Sequence, residues 1–353
     1  MIGWPLFSGG VHLVNVWVIM AGKTEIELPT FDDICTAQKR LCGRVVRTPL
    51  IKAHALSSAC RRPVYLKAEC LQFTGSFKFR GAYNKISQIE SRCNQSAVVA
   101  MSSGNHAQGV AAAAALMNLK AAIVMPADAP RIKRERTRGF GAQIVDYNRQ
   151  REDRDAIAQA LAKDTGAILI PPYDDRDVIA GQGTAGLEIC EDIMHEGLDL
   201  DAVVVPAGGG GFAAGVGLAV KTWFPDADIF VAEPERFDDH ARSLEAGKRC
   251  SNACTESSIC DALLARSPGE ITFEINRHLL CSGFVLSDLQ VVGAMAHIFE
   301  ETKLVSEPGG AIATAALIAG MVPEGLGAVV AVLSGGNIDL QEFCRLTDKN
   351  VTL

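Results

Sequence analysis

Lys78 stands in Thr74-Gly75-Ser76-Phe77-Lys78-Phe79-Arg80-Gly81, a glycine-bounded loop that runs into a helical pattern. Ala82, Ile86 and Ile89 recur at near-helical spacing, so Ser76 reads as an N-cap and Lys78 falls in the first turn. There the positive end of the helix dipole opposes protonation of the amine, and partial burial depresses its pKa further. A lysine in that state is a nucleophile for a carbonyl. Taken alone, the octapeptide also describes a solvated lysine on an amphipathic helix.

Other small-residue loops change that balance. Ser102-Ser103-Gly104-Asn105-His106-Ala107-Gln108-Gly109 follows an apolar run ending at Met101 and opens an alanine-rich helix. Hydroxyls and amides at a helix N-terminus suit a carboxylate, and the same residues also read as a plain capped turn. After Val205 comes Pro206-Ala207-Gly208-Gly209-Gly210-Gly211-Phe212. Four consecutive glycines cost backbone entropy, which a close approach of backbone amides to a phosphate would explain. No lysine and hydroxyl pair follows, so this is not a Walker loop, and contiguous glycines make a poor dinucleotide fingerprint. Ser334-Gly335-Gly336-Asn337 and Glu307-Pro308-Gly309-Gly310-Ala311 are further turns of this kind. A reactive lysine, a phosphate cradle and polar loops together suit one phosphorylated carbonyl cofactor, pyridoxal phosphate.

The elements that must carry these loops alternate. A helix is predicted over Phe31 to Val46 and a strand over Val64 to Glu69. Strands at Ala97 to Met101, Ala121 to Met125, Gln143 to Tyr147, Ala167 to Ile170, Ala202 to Val205, Ile229 to Ala232 and Ala328 to Leu333 are interleaved with helical patterns. This rhythm predicts an α/β protein with two open, mostly parallel twisted sheets covered by helices on both faces, and ligands at the carboxyl ends of the strands. The expected division is an N-terminal extension over residues 1–30, a small domain over 97–167, and a large cofactor-binding domain from 31–96 and 168–353. Within the extension, Val11 to Ala21 is apolar but too short to span a bilayer, and Met20 resembles a cytosolic start, so the first nineteen residues read as dispensable.

The chain has 353 residues, 48% hydrophobic and 21% charged, with a formal net charge of -7, an ordinary globular balance that gives no reason to expect nucleic acid or a membrane as partner. The local basic run Arg131, Lys133, Arg134, Arg136 and Arg138 reads as a solvated helix face. Eleven cysteines without framework spacing fit reduced thiols and a cytoplasmic location, and Cys250, Cys254 and Cys260 match no strong zinc signature.

Six ordered motifs carry a family resemblance: Ser76-Phe77-Lys78-Phe79-Arg80-Gly81, Ser102-Ser103-Gly104-Asn105-His106, Ala180-Gly181-Gln182-Gly183-Thr184, the glycine run, Glu233-Pro234 and Ser334-Gly335-Gly336-Asn337. From about Phe31 to about Phe343 the chain resembles the threonine/serine dehydratase and serine racemase family, pyridoxal phosphate enzymes of tryptophan synthase beta-subunit-like fold. The resemblance implies that Lys78 forms the Schiff base and later acts as α-proton base. It also implies that Gly208, Gly209, Gly210 and Gly211 bind the phosphate, Asn105 the ring hydroxyl and Ser334 the pyridine nitrogen. A serine does not enforce a protonated pyridinium, so the electron sink is mild and loss of a β-hydroxyl is favoured over transamination.

By the same resemblance, Ser102, Ser103 and His106 belong to the loop that binds the substrate carboxylate. Ser103 matches a serine of racemases that works on the cofactor face opposite the lysine; its other reading is a helix cap. Arg154 lies near an arginine that contacts acidic substrates in racemases and hydroxyaspartate dehydratases, and is otherwise a surface residue. Glu233, the carbonyl of Phe237 and Asp239 resemble a divalent cation site for Mg2+ or Ca2+. The segment Ser258 to Leu264 departs from the family pattern, which leaves substrate identity open. The expectation is a homodimeric or homotetrameric ammonia-lyase acting on a small amino acid, L-threonine or L-serine by default. Serine racemase and 3-hydroxyaspartate dehydratase are the near alternatives, and an amino-acid sensor without catalysis or a β-replacement synthase the distant ones.

Overall fold

The computed structural model describes residues 18–21, 24–89, 97–129, 131–253 and 257–348. An antiparallel ribbon of β1 (Val18–Ala21) and β2 (Thr24–Glu27) precedes α1 (Phe31–Leu41), β3 (Leu50–Lys52), α2 (His54–Cys60), β4 (Val64–Lys67) and α3 (Lys78–Ile86). Strands and helices then alternate through β5 (Ala97–Met101), α4 (Asn105–Leu116), β6 (Lys120–Pro126), α5 (Arg131–Gly139), β7 (Gln143–Tyr147), α6 (Arg154–Thr165) and β8 (Ile168–Leu169). The chain continues as α7 (Arg176–His195), β9 (Leu200–Pro206), α8 (Gly211–Trp223), β10 (Asp228–Pro234), α9 (Asp239–Ala246), α10 (Glu270–Leu279), β11 (Ser282–Leu286), α11 (Asp288–Thr302), α12 (Pro308–Ile318), β12 (Ala328–Val332) and α13 (Leu340–Thr347).

The larger sheet has the order β11-β10-β9-β12-β4-β3 and is parallel except for the edge strand β3; the smaller, β7-β6-β5-β8, is wholly parallel. This is the expected α/β class with two mostly parallel sheets. Strand β12, Ala-Val-Val-Ala-Val, is buried along its whole length, as a strand covered on both faces must be. On one face Leu66, Val204 and Ala331 pack with Leu56, Met295 and Ile312 of α2, α11 and α12. On the other, Val203, Val205 and Val330 pack with Ile189 and Val216 of α7 and α8. The smaller sheet is covered by α3 and α4 on one side, through Val98, Ile123, Phe79 and Ala111, and by Ala158 of α6 on the other. Its strands all come from residues 97–169.

Several local expectations need correction. The opening helix stops at Leu41, not Val46, because Gly43 turns left-handed (φ +70) and the amides of Arg44 and Val45 both donate back to the Leu41 carbonyl at 2.9 and 3.1 Å. The polar segment after β10 contains α9, α10 and β11. The N-terminus of α10 is capped from far away: the Asp174 carboxylate accepts from the amides of Glu270, Ile271 and Thr272 at 2.9, 2.9 and 3.1 Å. Residues 1–17 of the expected extension, and Cys254, lie outside the described residues. No described helix is long and apolar enough to cross a membrane.

Candidate active site

The lysine loop is shaped by its neighbours more than by its own caps. The N-cap of α3 is Phe77, with no side-chain capping bond, so Ser76 is not the cap. Ser76 instead bridges Gly335 in a two-residue antiparallel contact, with the Phe77 amide donating to Ser334 O at 3.1 Å and the Gly336 amide to Gly75 O at 2.9 Å. Gly75 is obligatory here, since its φ is +76 and a Cβ would lie 2.5 Å from Asn337 Oδ1. Lys78 Nζ donates to the Pro172 carbonyl at 2.6 Å and lies 5.0 Å from the centre of the Phe77 ring, which stacks on Phe212 at 3.9 Å. Burial lowers the amine to about 7. The side chain is half-buried by exposure, so water entering the cleft moderates this shift.

The glycine run ends β9 and starts α8. Gly210, the N-cap, has φ +89, and a Cβ there would fall on His240 Nε2. A Cβ on Gly209 would fall on the ring of Tyr173. Behind the run, Gly209 O accepts from Thr272 Oγ1 at 2.7 Å and Gly210 O from Asn276 Nδ2 at 3.2 Å. The first amides of α8 have no intrahelical partner and line the cleft, the donor set a phosphate needs.

Lys78, Ser102, Ser103, Asn105, His106, Arg154, Gly208, Gly209, Gly210, Gly211 and Ser334 all line this one cleft. Ser102 Oγ accepts from the Gly104 amide at 3.1 Å. Asn105, the first residue of α4, donates through Nδ2 to the Glu307 carboxylate and accepts at Oδ1 from Asn337 Nδ2 at 2.8 Å. One hydrogen and one lone pair of its amide remain. The His106 ring is tied through Nε2 to Ile170 O at 2.9 Å, while Nδ1 has no partner. Burial, and then the Lys78 charge, push this imidazole down to about 3, so it is neutral at physiological pH. Ser334 Oγ makes only a long bond, 3.4 Å, to Gly309 O. Arg154 opens α6 with its guanidinium 3.7 Å from Asp155.

Two residues of the cleft, Tyr173 and Lys133, were not legible in the sequence. Tyr173 follows β8 directly, a strand-end position that could have flagged it. Lys133 belongs to the basic run but is buried; its Nζ lies 2.5 Å from Asp261 and 3.9 Å from Glu307, so a wholly solvated face is the wrong description of α5. Arg136 of the same helix donates to Asn337 Oδ1 at 2.5 Å. Glu307 is pushed up to about 7 by burial, against the lowering effect of Lys133.

Glu233, Phe237 and Asp239 sit behind the glycine run, outside the cleft lining. The two Glu233 oxygens accept from the amides of His240 and Ala241, both at 2.9 Å, and Asp239 Oδ1 accepts from Asn252 Nδ2 at 2.6 Å. Among the described residues, Asp239 Oδ2 and His240 Nδ1 have no hydrogen-bond partner although both side chains are fully buried. Burial first, and the Glu233 charge second, push Asp239 up to about 7. Buried acceptors left unpaired beside a second carboxylate are a donor set that a divalent cation fits.

Residues 42–335 match the family described as "Pyridoxal-phosphate dependent enzyme". An L-threo-3-hydroxyaspartate ammonia-lyase of Saccharomyces cerevisiae is 39% identical over 320 residues, covering 90% of this chain and 96% of that protein. A catabolic L-threonine dehydratase of Escherichia coli is 37% identical over 324 residues, covering 91% and 97%. The structure of maize serine racemase superposes with a TM-score of 0.84 at 35% identity, covering 89% of this chain and 95% of that one.

Proposed function

The chain belongs to the pyridoxal-phosphate dependent enzyme family, and from that premise we propose that it deaminates a β-hydroxy amino acid, L-threonine or L-serine, by loss of water followed by hydrolysis, giving a 2-oxo acid and ammonia. The observation that carries this reading is the meeting of Lys78, the glycine run and the Ser102 to His106 turn in one cleft. Relatives named as ammonia-lyase and dehydratase support it.

Bound in this cleft, pyridoxal phosphate supplies an aldehyde for Lys78 and a ring that withdraws electrons from the substrate α-carbon. The amides of Gly208, Gly209, Gly210 and Gly211 hold the phosphate at the positive end of α8. Asn105, fixed from two sides by Glu307 and Asn337, offers its remaining hydrogen-bonding capacity to the ring hydroxyl. Ser334 meets the ring nitrogen as a neutral group. Ser102, Ser103 and the His106 amide hold the substrate carboxylate at the start of α4, and the neutral His106 ring adds no competing charge. Lys78 Nζ, once displaced from the cofactor aldehyde by the substrate amine, would take the α-proton. An amine poised near 7 has a substantial unprotonated fraction at neutral pH. The β-hydroxyl would take up a proton and leave as water, and the released enamine would add water to give the 2-oxo acid and ammonia.

A second reading, elimination from 3-hydroxyaspartate, is favoured by Arg154 at the cleft wall, where a guanidinium can pair with a second carboxylate. The discriminating experiment is an activity panel of L- and D-serine, L- and D-threonine and 3-hydroxyaspartate, with 2-oxo acid, ammonia and enantiomer measured. L-threonine or L-serine turnover to 2-oxo acid is expected; D-serine as the sole product from L-serine would overturn the lyase reading. If 3-hydroxyaspartate is the substrate, Arg154→Ala should raise its KM about tenfold or more while leaving L-threonine nearly unaffected. The cation reading assigns Glu233, the Phe237 carbonyl and Asp239 to a divalent ion supporting the glycine run, and the assembly is read as a homodimer or homotetramer, which light scattering would measure.

A further inference from the structure

The carboxylates behind the glycine run are not alone. His240, the residue after Asp239, is fully buried, and its Nδ1 lies 3.5 Å from Glu233 Oε1 and 3.7 Å from Asp239 Oδ2. Both separations are too long for good hydrogen bonds, and Nδ1 has no partner. One donor atom each from Glu233, Asp239 and His240 can be chosen so that all lie within 4.8 Å of one another. Two ligands about 2.0–2.2 Å from one ion can stand up to roughly 4.4 Å apart, and the 3.5 and 3.7 Å separations from His240 Nδ1 fall inside that reach.

The surroundings hold these three atoms ready. Two backbone amides orient the Glu233 carboxylate and leave each oxygen a further lone pair. Asn252 fixes Asp239 through Oδ1 and leaves Oδ2 bare. On the far side of the imidazole, Nε2 lies 3.4 Å from the Asn276 amide and against Gly210; a metal at Nδ1 places the ring proton on Nε2, for which the unpartnered Asn276 Oδ1 is the acceptor once that amide is turned over. The ring is therefore wedged between the phosphate cradle and the two carboxylates, with one nitrogen toward each.

We propose that His240 Nδ1 is a ligand of the cation held by Glu233 and Asp239, so that this site takes a first-row divalent transition ion in preference to Ca2+ or Mg2+. The inference rests on the cation reading of those two carboxylates. Its basis is donor type: Mg2+ and Ca2+ sites are built from oxygen, whereas imidazole nitrogen suits first-row ions such as Fe2+, Ni2+ and Zn2+, with Mn2+ the weakest binder of that series.

The test uses Mn2+ as probe on the pyridoxal-phosphate-loaded protein after chelator treatment and dialysis. Pulsed electron paramagnetic resonance should detect a directly bound nitrogen, which changes from the 14N to the 15N pattern when only histidine is 15N-labelled. This measurement needs no variant. His240→Ala should abolish that coupling, and the ratio of Mn2+ to Ca2+ affinity, from competition titration, should fall at least tenfold. Saturable Mn2+ binding without histidine nitrogen, or a nitrogen signal that survives in His240→Ala, overturns the His240 assignment while sparing the cation site. Absence of saturable Mn2+ and Ca2+ binding at one site per chain overturns the cation reading and this inference with it.

Discussion

Arg80→Met tests how the lysine-bearing helix is held. Arg80 lies two residues beyond Lys78 with no solvent exposure, and donates to Glu69 through Nε and Nη2 and to Glu188 through Nη1 and Nη2, all at 2.8 Å. Lys67, also fully buried, adds a 2.7 Å bond to Glu188, so two cations balance two anions. Methionine conserves much of the volume but strands Glu69, whose remaining side-chain partner is the Thr48 hydroxyl. Removing one partner of a buried pair costs about 3–5 kcal/mol, and we expect that loss in urea denaturation at pH 7. Neutralising the stranded acid, in Arg80→Met with Glu69→Gln, should recover part of it.

The pH dependence supplies a sign. In the native protein burial raises the Glu69 carboxyl, but the charge and hydrogen bonds of Arg80 outweigh it and hold the group below its ordinary value. Its contribution is therefore complete above the unfolded value of about 4.3 and is lost as pH falls through the folded one. In Arg80→Met burial is opposed only by the Lys67 charge and the Thr48 hydrogen bond, so the folded value rises and acidification from pH 7 to 5 should narrow the gap to the wild type. A loss below about 1 kcal/mol at pH 7, or a gap that widens on acidification, would refute the account.

Lys78→Ala should abolish turnover and the covalent cofactor link, read as loss of borohydride-trapped cofactor on the intact chain; an active variant contradicts the assignment. Ser103→Ala should spare elimination from L-substrates and remove any racemisation, and unchanged racemisation would show that Ser103 takes no part in it; the structure has Gly104, not Ser103, as the N-cap of α4. In the cofactor-free protein, the depressed Lys78 value near 7 means the unfolded chain binds a proton that the folded one releases. Stability should rise between about pH 7 and 10, and Lys78→Met should flatten that rise; an equal slope in both proteins would deny the shift.

The strands and most helices were readable because their patterns are local: Ala-Val-Val-Ala-Met and Ala-Val-Val-Ala-Val announce buried parallel strands by themselves. The cleft residues were readable because each follows such a strand. What escaped depends on distant partners. The cap of α10 comes from Asp174, 96 residues before Glu270. Ser76 looks like a cap, but its place is fixed by a turn at Gly335. Lys133 shares its buried face of α5 with Thr137, so the helix lacks the apolar stripe that would have shown which side faces inward.

The two sheets contribute to the cleft unequally. Lys78, the glycine run and Ser334 follow strands of the larger sheet, whereas Ser102, Ser103 and Arg154 belong to the smaller sheet and its helices, which α5 ties across through Lys133 and Arg136. On the proposed reading most cofactor contacts thus come from the larger sheet and the substrate contacts from the smaller, with Asn105 of α4 reaching the cofactor from the smaller side. On that reading a change at Arg154 alters the substrate-facing wall while Lys78, the glycine run and Ser334 keep their places on the larger sheet.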